Sequence, residues 1–276
     1  MAESEPERPP RDVDTTRPSV SRVYDFMLGG KDNYEADREL ARLALEVAPD
    51  APEAAQANRE FLKRVVRHLA AEAGIRQFLD LGSGLPTRGN VHEIAQASAP
   101  GTRVVYVDHD PIVLVHGRAL LAVDDTTTVV EADIREPEGI ADHPEIRKLI
   151  DFGEPVGLLM FAILHHLTDA ENPAGIAARM VSRLAPGSFL AVSHFCNPGQ
   201  AHPEVSRQAY TAEKLFNQHL GAGRWRTREE ILACFDGLDI LEPGLVPLPE
   251  WRPDPGDQAE PGITYHTFVG AVARKP

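Results

Sequence analysis

Cysteine is almost missing from this chain. Cys196 and Cys234 are its only two in 276 residues, too few for a disulfide framework or a cysteine metal site. Lysine is scarce as well, at five, and 42 acidic residues outnumber 28 basic ones for a formal net charge of -14. Binding to phosphate backbones is driven by Lys and Arg, so a nucleic-acid substrate is disfavoured. The acidity itself reads as solubility. Long hydrophobic runs are lacking too. The longest, Val156 to Leu164, is about half a membrane span. The first 18 residues, rich in Glu, Pro and Arg, do not read as a signal peptide. The expectation is a cytoplasmic protein that meets no membrane. Phosphate cradles are absent: no G-x-x-x-x-G-K-[ST] occurs, which excludes a P-loop.

What is there is a strand, Phe78-Leu79-Asp80-Leu81, running into Gly82-Ser83-Gly84. A second strand, Val104-Val105-Tyr106-Val107, delivers Asp108, 24 residues past Gly84. In an open α/β sheet, ligands bind outside the carboxyl ends of the strands, and a carboxylate about 20 residues after the turn can take a ribose. A dinucleotide site would need a third small residue three past Gly84. Thr87 stands there, after Pro86, and proline removes a backbone N–H from the turn. A nucleoside ligand without phosphates fits better, and S-adenosylmethionine is one. Asp80 could then meet its ammonium group.

Along the chain, residues 1–18 read as a disordered tail. Residues 19–52 read as a helical cap or lid, with a helix ending at Gly29-Gly30 and a second opened by an Asp32-x-x-Glu35 capping box. A third helix spans about 53–73. From Gln77 strands and helices alternate: strand 77–81, a helix at 91–98 capped by Asn90 with Glu93, strand 103–108, a helix from Pro111 and a strand at 127–132. The continuous apolar strand at 156–162 suits a central position. A helix from Asn172-Pro173 and strand 188–194 follow. Residues 198–224 hold a helix around Tyr210 to Leu220. A helix at 228–235 and strands at 238–242 and 263–273 close the chain. The fold class is α/β, with a Rossmann-like, doubly wound, mostly parallel sheet over residues 53–276 and an N-terminal helical cap.

The layout resembles the class I S-adenosylmethionine-dependent methyltransferases. Phe78 to Gly84 matches their first motif and Asp108 their ribose acid. Glu131-Ala132-Asp133-Ile134 is similar to their adenine turn, and Phe161 to Leu167 to the segment after their fourth strand. Ser21-Arg22-Val23-Tyr24-Asp25, Leu28-Gly29-Gly30-Lys31-Asp32-Asn33, Asp80 to Thr87 and Asn90-Val91-His92-Glu93 resemble an actinobacterial family named S-adenosyl methyltransferases, formerly a domain of unknown function. The resemblance implies methyl transfer from S-adenosylmethionine by direct displacement, leaving S-adenosylhomocysteine. It implies no acceptor.

The candidate cofactor-binding residues are Asp80, Gly82, Ser83, Gly84, Asp108, His109, Asp133, Ile134 and Phe161, with Gly30, Lys31 and Tyr24 from the cap. His165 and His166 are candidate bases, and His194 has similar standing. Each has a plainer reading. Asp108 could cap a helix, though Asp110 suits that better. The histidines could be satisfied core groups, and the Gly29–Asn33 loop a simple joint. No metal is expected. The acidic balance and a partly apolar region at 198–224, read as a substrate-side insertion, suggest a small-molecule acceptor. A homodimer is compatible. Two other readings stay open: a noncatalytic S-adenosylmethionine-binding regulator and a nicotinamide oxidoreductase.

Overall fold

Apolar stripes at helical spacing build three helices ahead of the first strand. These are α1 (Val20–Met27), α2 (Glu35–Val47) and α3 (Ala51–Ala71). The structure is a computed structural model that describes residues 13–87, 89–121, 125–256 and 261–276. Most of the expected tail, residues 1–12, lies outside these. Residues 13–18 are described, and the Arg22 guanidinium donates to the carbonyls of Asp14 and Arg17 among them.

Strands and helices then alternate as β1 (Gln77–Leu81), α4 (Val91–Ser98), β2 (Arg103–Asp108), α5 (Pro111–Leu120), β3 (Thr127–Glu131), α6 (Pro137–Asp142), α7 (Pro144–Leu149), β4 (Gly157–Phe161), α8 (Pro173–Ser182) and β5 (Phe189–Phe195). The last part holds α9 (Pro203–Leu220), α10 (Arg228–Leu232), β6 (Asp239–Ile240), β7 (Val246–Pro247) and β8 (Phe268–Arg274). The sheet order is β3-β2-β1-β4-β5-β8-β6, with β7 also on β8. Strands β1 to β5 are parallel, and β8 runs antiparallel to β5. The chain lays β2 and β3 to one side of β1, then crosses to β4 and β5. That reversal opens a crevice at the carboxyl ends of β1 and β4.

Central strands are buried on both faces because helices cover both. In β1 and β2 the period of two sends Leu79, Leu81, Val105 and Val107 to one core. Phe78, Val104 and Tyr106 go to the other, against Phe61, Val65 and Leu69 of α3.

Two local expectations are corrected, and three short elements were not anticipated. The box that opens α2 is not Asp32-x-x-Glu35. The Asp25 carboxylate takes the Asp32 N–H and the Asn33 amide, so Asp32 belongs to the turn, and Asp37 accepts from the Tyr34 N–H instead. Residues 263–267 are not strand, because Thr264 donates its N–H and hydroxyl to Asp50 and a turn forms there. The short helices α6 and α7 and strand β7 carry too few periodic residues to be read from sequence.

Candidate active site

Glycine at 82 is required twice over. Its φ is +73°, and an added Cβ would sit 2.5 Å from Ile163 Cγ1. Gly84 also has positive φ, with open space beside it. Together they fold the turn back onto β2. The Gly82 and Ser83 N–H groups donate to Val107 O at 2.8 and 3.2 Å. The Gly84 N–H donates to Asp108 Oδ2 at 2.9 Å.

Asp108 ends β2 as expected and stands against that turn. Its Oδ1 accepts from the His109 and Asp110 N–H groups at 2.8 and 3.0 Å. Burial raises its pKa, and these N–H bonds oppose the rise. Capping of α5 falls to Asp110, whose Oδ1 accepts from the Ile112 N–H at 3.1 Å. Asp80, buried on β1, is pushed up to about 7 by desolvation, with a further push from Asp108 and an opposing pull from Arg59.

These groups line one cavity of about 590 Å³, a size suited to a small ligand. Of the sequence-predicted residues, Asp80, Gly82, Ser83, Gly84, Asp108, His109, Asp133, Ile134, Phe161, Tyr24, His165 and His166 all line it. Gly30 and Lys31 do not. Lys31 is exposed, and a Cβ on Gly30 would collide with the Asp25 carboxylate. That loop is shaped by Asp25, as the plain joint reading has it. His194 also stays outside the lining. Its Nε2 accepts from Arg226 Nη1 at 3.2 Å, so Nδ1 carries the proton and donates to Phe195 O at 2.7 Å. The turn after Gly84 is tied to the next helix. The Thr87, Gly89 and Asn90 N–H groups are bonded to Asn90 and Glu93, so this loop caps α4.

Asp133 is engaged with Arg135. It accepts from the Arg135 N–H and Nε at 2.9 Å, which lowers its pKa. Tyr24 donates its hydroxyl to Ala55 O at 3.1 Å and accepts from Asn58 at 3.0 Å. After β4, Ala162 is held at φ +52°, uncommon for a residue with a Cβ. Such strain clusters at functional sites.

The two histidines differ. His165 Nδ1 accepts from the Phe195 N–H at 3.1 Å, so its proton is on Nε2, which has no partner. Burial holds its pKa well below the ordinary histidine value. His166 leaves Nδ1 without a partner, and burial lowers its pKa to about 4 against an opposing effect of the Ala222 backbone.

Sequence reasoning missed several lining residues. Arg59 on α3 bonds the Gly89 carbonyl through Nη2, while its buried Nε has no partner. Like it, the hydroxyl of Ser83, which the glycine motif did mark, is buried and unpartnered. Phe195, Phe216 and Trp225 form an aromatic wall. No spacing signal marks Arg59 or these rings, because the chain brings them together from α3, β5, α9 and a loop. Among the described residues, no group of three or more His, Cys, Asp and Glu could hold a metal ion, and no helix is long and apolar enough to cross a membrane.

The donor set fits S-adenosylmethionine. A buried carboxylate with raised pKa suits an ammonium group, an unpartnered guanidinium nitrogen suits a carboxylate, and Asp108 keeps acceptor capacity for ribose hydroxyls. Comparisons with known proteins agree. A family model described as S-adenosyl methyltransferase matches residues 6–276. The chain is similar to a Thermobifida fusca YX protein described as a candidate methyltransferase, with 43% identity, 98% of this chain and 99% of that one covered, and a TM-score of 0.91. It is also similar to a DUF574 family protein from Streptomyces avermitilis, at 41% identity, 95% and 99% coverage, and a TM-score of 0.89. An O-methyltransferase family 2 protein from Planctomyces limnophilus, solved with apigenin, shares the fold at 17% identity, 87% and 63% coverage, and a TM-score of 0.52. No curated protein matches significantly.

Proposed function

Because the chain belongs to the S-adenosyl methyltransferase family, whose cofactor is S-adenosylmethionine, we propose that it methylates a small-molecule acceptor, binding the cofactor between the Gly82–Gly84 turn, Asp108 and Asp80. The observation that carries this reading is the convergence of those three elements in one cavity. Asp108 would hold the ribose hydroxyls, Asp80 the methionyl ammonium, and Arg59 with the Ser83 hydroxyl the methionyl carboxylate. Ile134 and Phe161 would flank the adenine, with Asp133 and His109 at its rim. The small-molecule class rests on the size of the cavity and on the acidic net charge of the chain. A cytoplasmic location goes with two buried free thiols, which suit a reducing compartment.

When bound, S-adenosylmethionine supplies a methyl group activated by positive sulfur, which keeps the bonding electron pair as the methyl leaves. The protein's main contribution is alignment, which can supply up to ~7–11 kcal/mol. His166 is the better candidate base. Its Nδ1 lone pair is free at neutral pH, and the acceptor's proton becomes strongly acidic as the methyl arrives, so a weak base suffices. His165, with its proton on Nε2, would act as a donor that orients the acceptor. Helices α1 and α2 would exclude water from the sulfur as a lid.

Titration calorimetry with S-adenosylhomocysteine tests the reading. Binding should be micromolar, about -8 kcal/mol, at pH 8. It should weaken as pH falls through about 7, where Asp80 takes up a proton, and Asp80→Asn should flatten that dependence. No heat at millimolar ligand, with no thermal shift either, would end it.

A further inference from the structure

The cavity has two chemically different sides. Its fixed charges sit on Arg59, Asp80, Asp108, Asp110, Asp133, Arg135 and Glu171. These belong to α3, to the ends of β1 to β3 and to the turn after β4. On the other side, the described lining from α2, α9 and residues 263–268 includes no charged side chain. From α9 come Gln208, Ala209, Ala212, Phe216 and Leu220, spaced to share one helix face. From α2 come Ala44 and Val47, with Ala48 at its cap. Small residues on both walls leave room for a bulky occupant.

The charge-free side ends on stacked rings. His165 lies parallel to Phe195 at 3.6 Å and 13°. Phe195 lies parallel to Trp225 at 4.3 Å and 14°. Phe216 closes edge-on to both, at 88° and 86°. Phe195 is on β5 and Asp108 ends β2. In the order β2-β1-β4-β5 these strands are three spacings apart, about 14 Å. The aromatic wall is therefore well removed from the ribose acid. The charges behind that wall are already paired, Arg226 with Asp169 and Glu213 with Arg224 and the Trp225 N–H, so a formal charge placed there would lose its hydration for little return, whereas a planar ring gains both apolar burial and favourable ring geometry.

We infer that the methyl acceptor is a neutral, planar aromatic compound, held between the small-residue face of α9 and the Phe195–Trp225 stack. Its polar handles are few: the Gln208 amide, the hydroxyl oxygens of Thr264 and Thr267 as acceptors, since their protons go to Asp50 and to Thr264 O, and the unpartnered imidazole nitrogens of His165 and His166. They suit hydroxyl or carbonyl substituents and no ionised group. This rests on the proposed methyltransferase reading.

Calorimetry on the full chain tests it in two stages. S-adenosylhomocysteine is titrated first. With that ligand saturating, 2-naphthol, decahydro-2-naphthol and 6-hydroxy-2-naphthoate follow. The flat, uncharged 2-naphthol should bind at least ~10-fold more tightly than its saturated or its carboxylated counterpart. Ala212→Phe, which fills the slot from α9, should remove 2-naphthol binding and leave S-adenosylhomocysteine affinity within about twofold. The wild-type series stands even if that variant folds poorly. Equal affinity for the three probes, preference for the carboxylate, or no binding of 2-naphthol overturns the inference. If S-adenosylhomocysteine binds in those same titrations, the methyltransferase reading survives. A chain that binds neither ligand loses both.

Discussion

Asp108 is architectural in the structure and, in the proposed reading, would hold the ligand as well. Its two oxygens accept three backbone N–H groups, from Gly84, His109 and Asp110, and so hold the glycine turn against the end of β2. Replacing it with alanine would strand those donors at about 1–3 kcal/mol, and a lost ligand bond could not be told from a collapsed turn. Asparagine keeps an acceptor oxygen and removes the charge. Asp108→Asn should weaken S-adenosylhomocysteine by about 1.5–3 kcal/mol, the usual contribution of a charge-assisted bond, and should also lower the urea midpoint, because the amide nitrogen cannot accept from the Gly84 N–H. Calorimetry and denaturation on the same preparation separate the two. Equal affinity in variant and wild type would reduce Asp108 to a brace for the turn. The carboxylate was legible in the sequence because it lies at a strand end, at a spacing set by one β-α-β crossover. Arg59 was not, since a helix arginine looks alike in sequence whether it faces solvent or a buried site.

Elements differ in the same way. Helix α4, its Asn90 cap and Glu93 brace could be read directly, and the structure has Glu93 accepting from the Asn90 N–H at 3.0 Å. Strands β1 to β5 were legible from their apolar runs, and α3 from a long stripe. What could not be read was set by partners distant in sequence: Asp50 turning residues 263–267, Asp25 shaping the Gly29–Asn33 loop, and the full length of α9. The cap is the consequential case. Ser21 on α1 donates to Asp110 Oδ2 at 2.9 Å, and the Tyr24 hydroxyl donates to Ala55 O. Asp37, fully buried, accepts from Arg22, Ser19 and Tyr34 and locks α1 to α2. The apolar residues Val23, Leu40 and Ala41 pack with Leu215 and Leu220 of α9. These contacts leave α1 joined to the strand ends by few bonds, as a segment that opens and closes would need. Hydrogen exchange should show residues 19–38 gaining protection when S-adenosylhomocysteine is added, alongside 80–84 and 108–110. Protection confined to the latter two would make the cap static packing.

The molecule as a whole carries an unusual set of buried titratable groups, and their balance sets how its stability responds to acid. His165, His166 and His194 are held neutral by burial, His166 at about 4, His194 at about 3 and His165 well below the ordinary value. In the unfolded chain each titrates near 6.5. Between about pH 6.5 and pH 4 the unfolded state therefore binds up to three more protons through these groups, and stability falls as pH falls. Asp80 works in the opposite sense. Its folded value of about 7 lies above its ordinary 3.8, so over the same window the folded state holds a proton that the unfolded state has released. Asp108 is raised too and acts in the same direction. The three histidines outnumber the two carboxylates, so through these five groups the unfolded chain takes up more protons and stability falls with falling pH. Urea unfolding from pH 7.5 down to 5 should show a plateau and then a steep fall below about 6.5. Asp80→Asn removes one opposing group and should steepen that fall. Saturating S-adenosylhomocysteine should steepen it as well, because its ammonium group favours ionised Asp80 in the folded state. Stability that stays flat or rises from pH 7 to 5 would mean that the histidines take up protons while folded, and the aromatic wall built around His165 would then have to tolerate a charge.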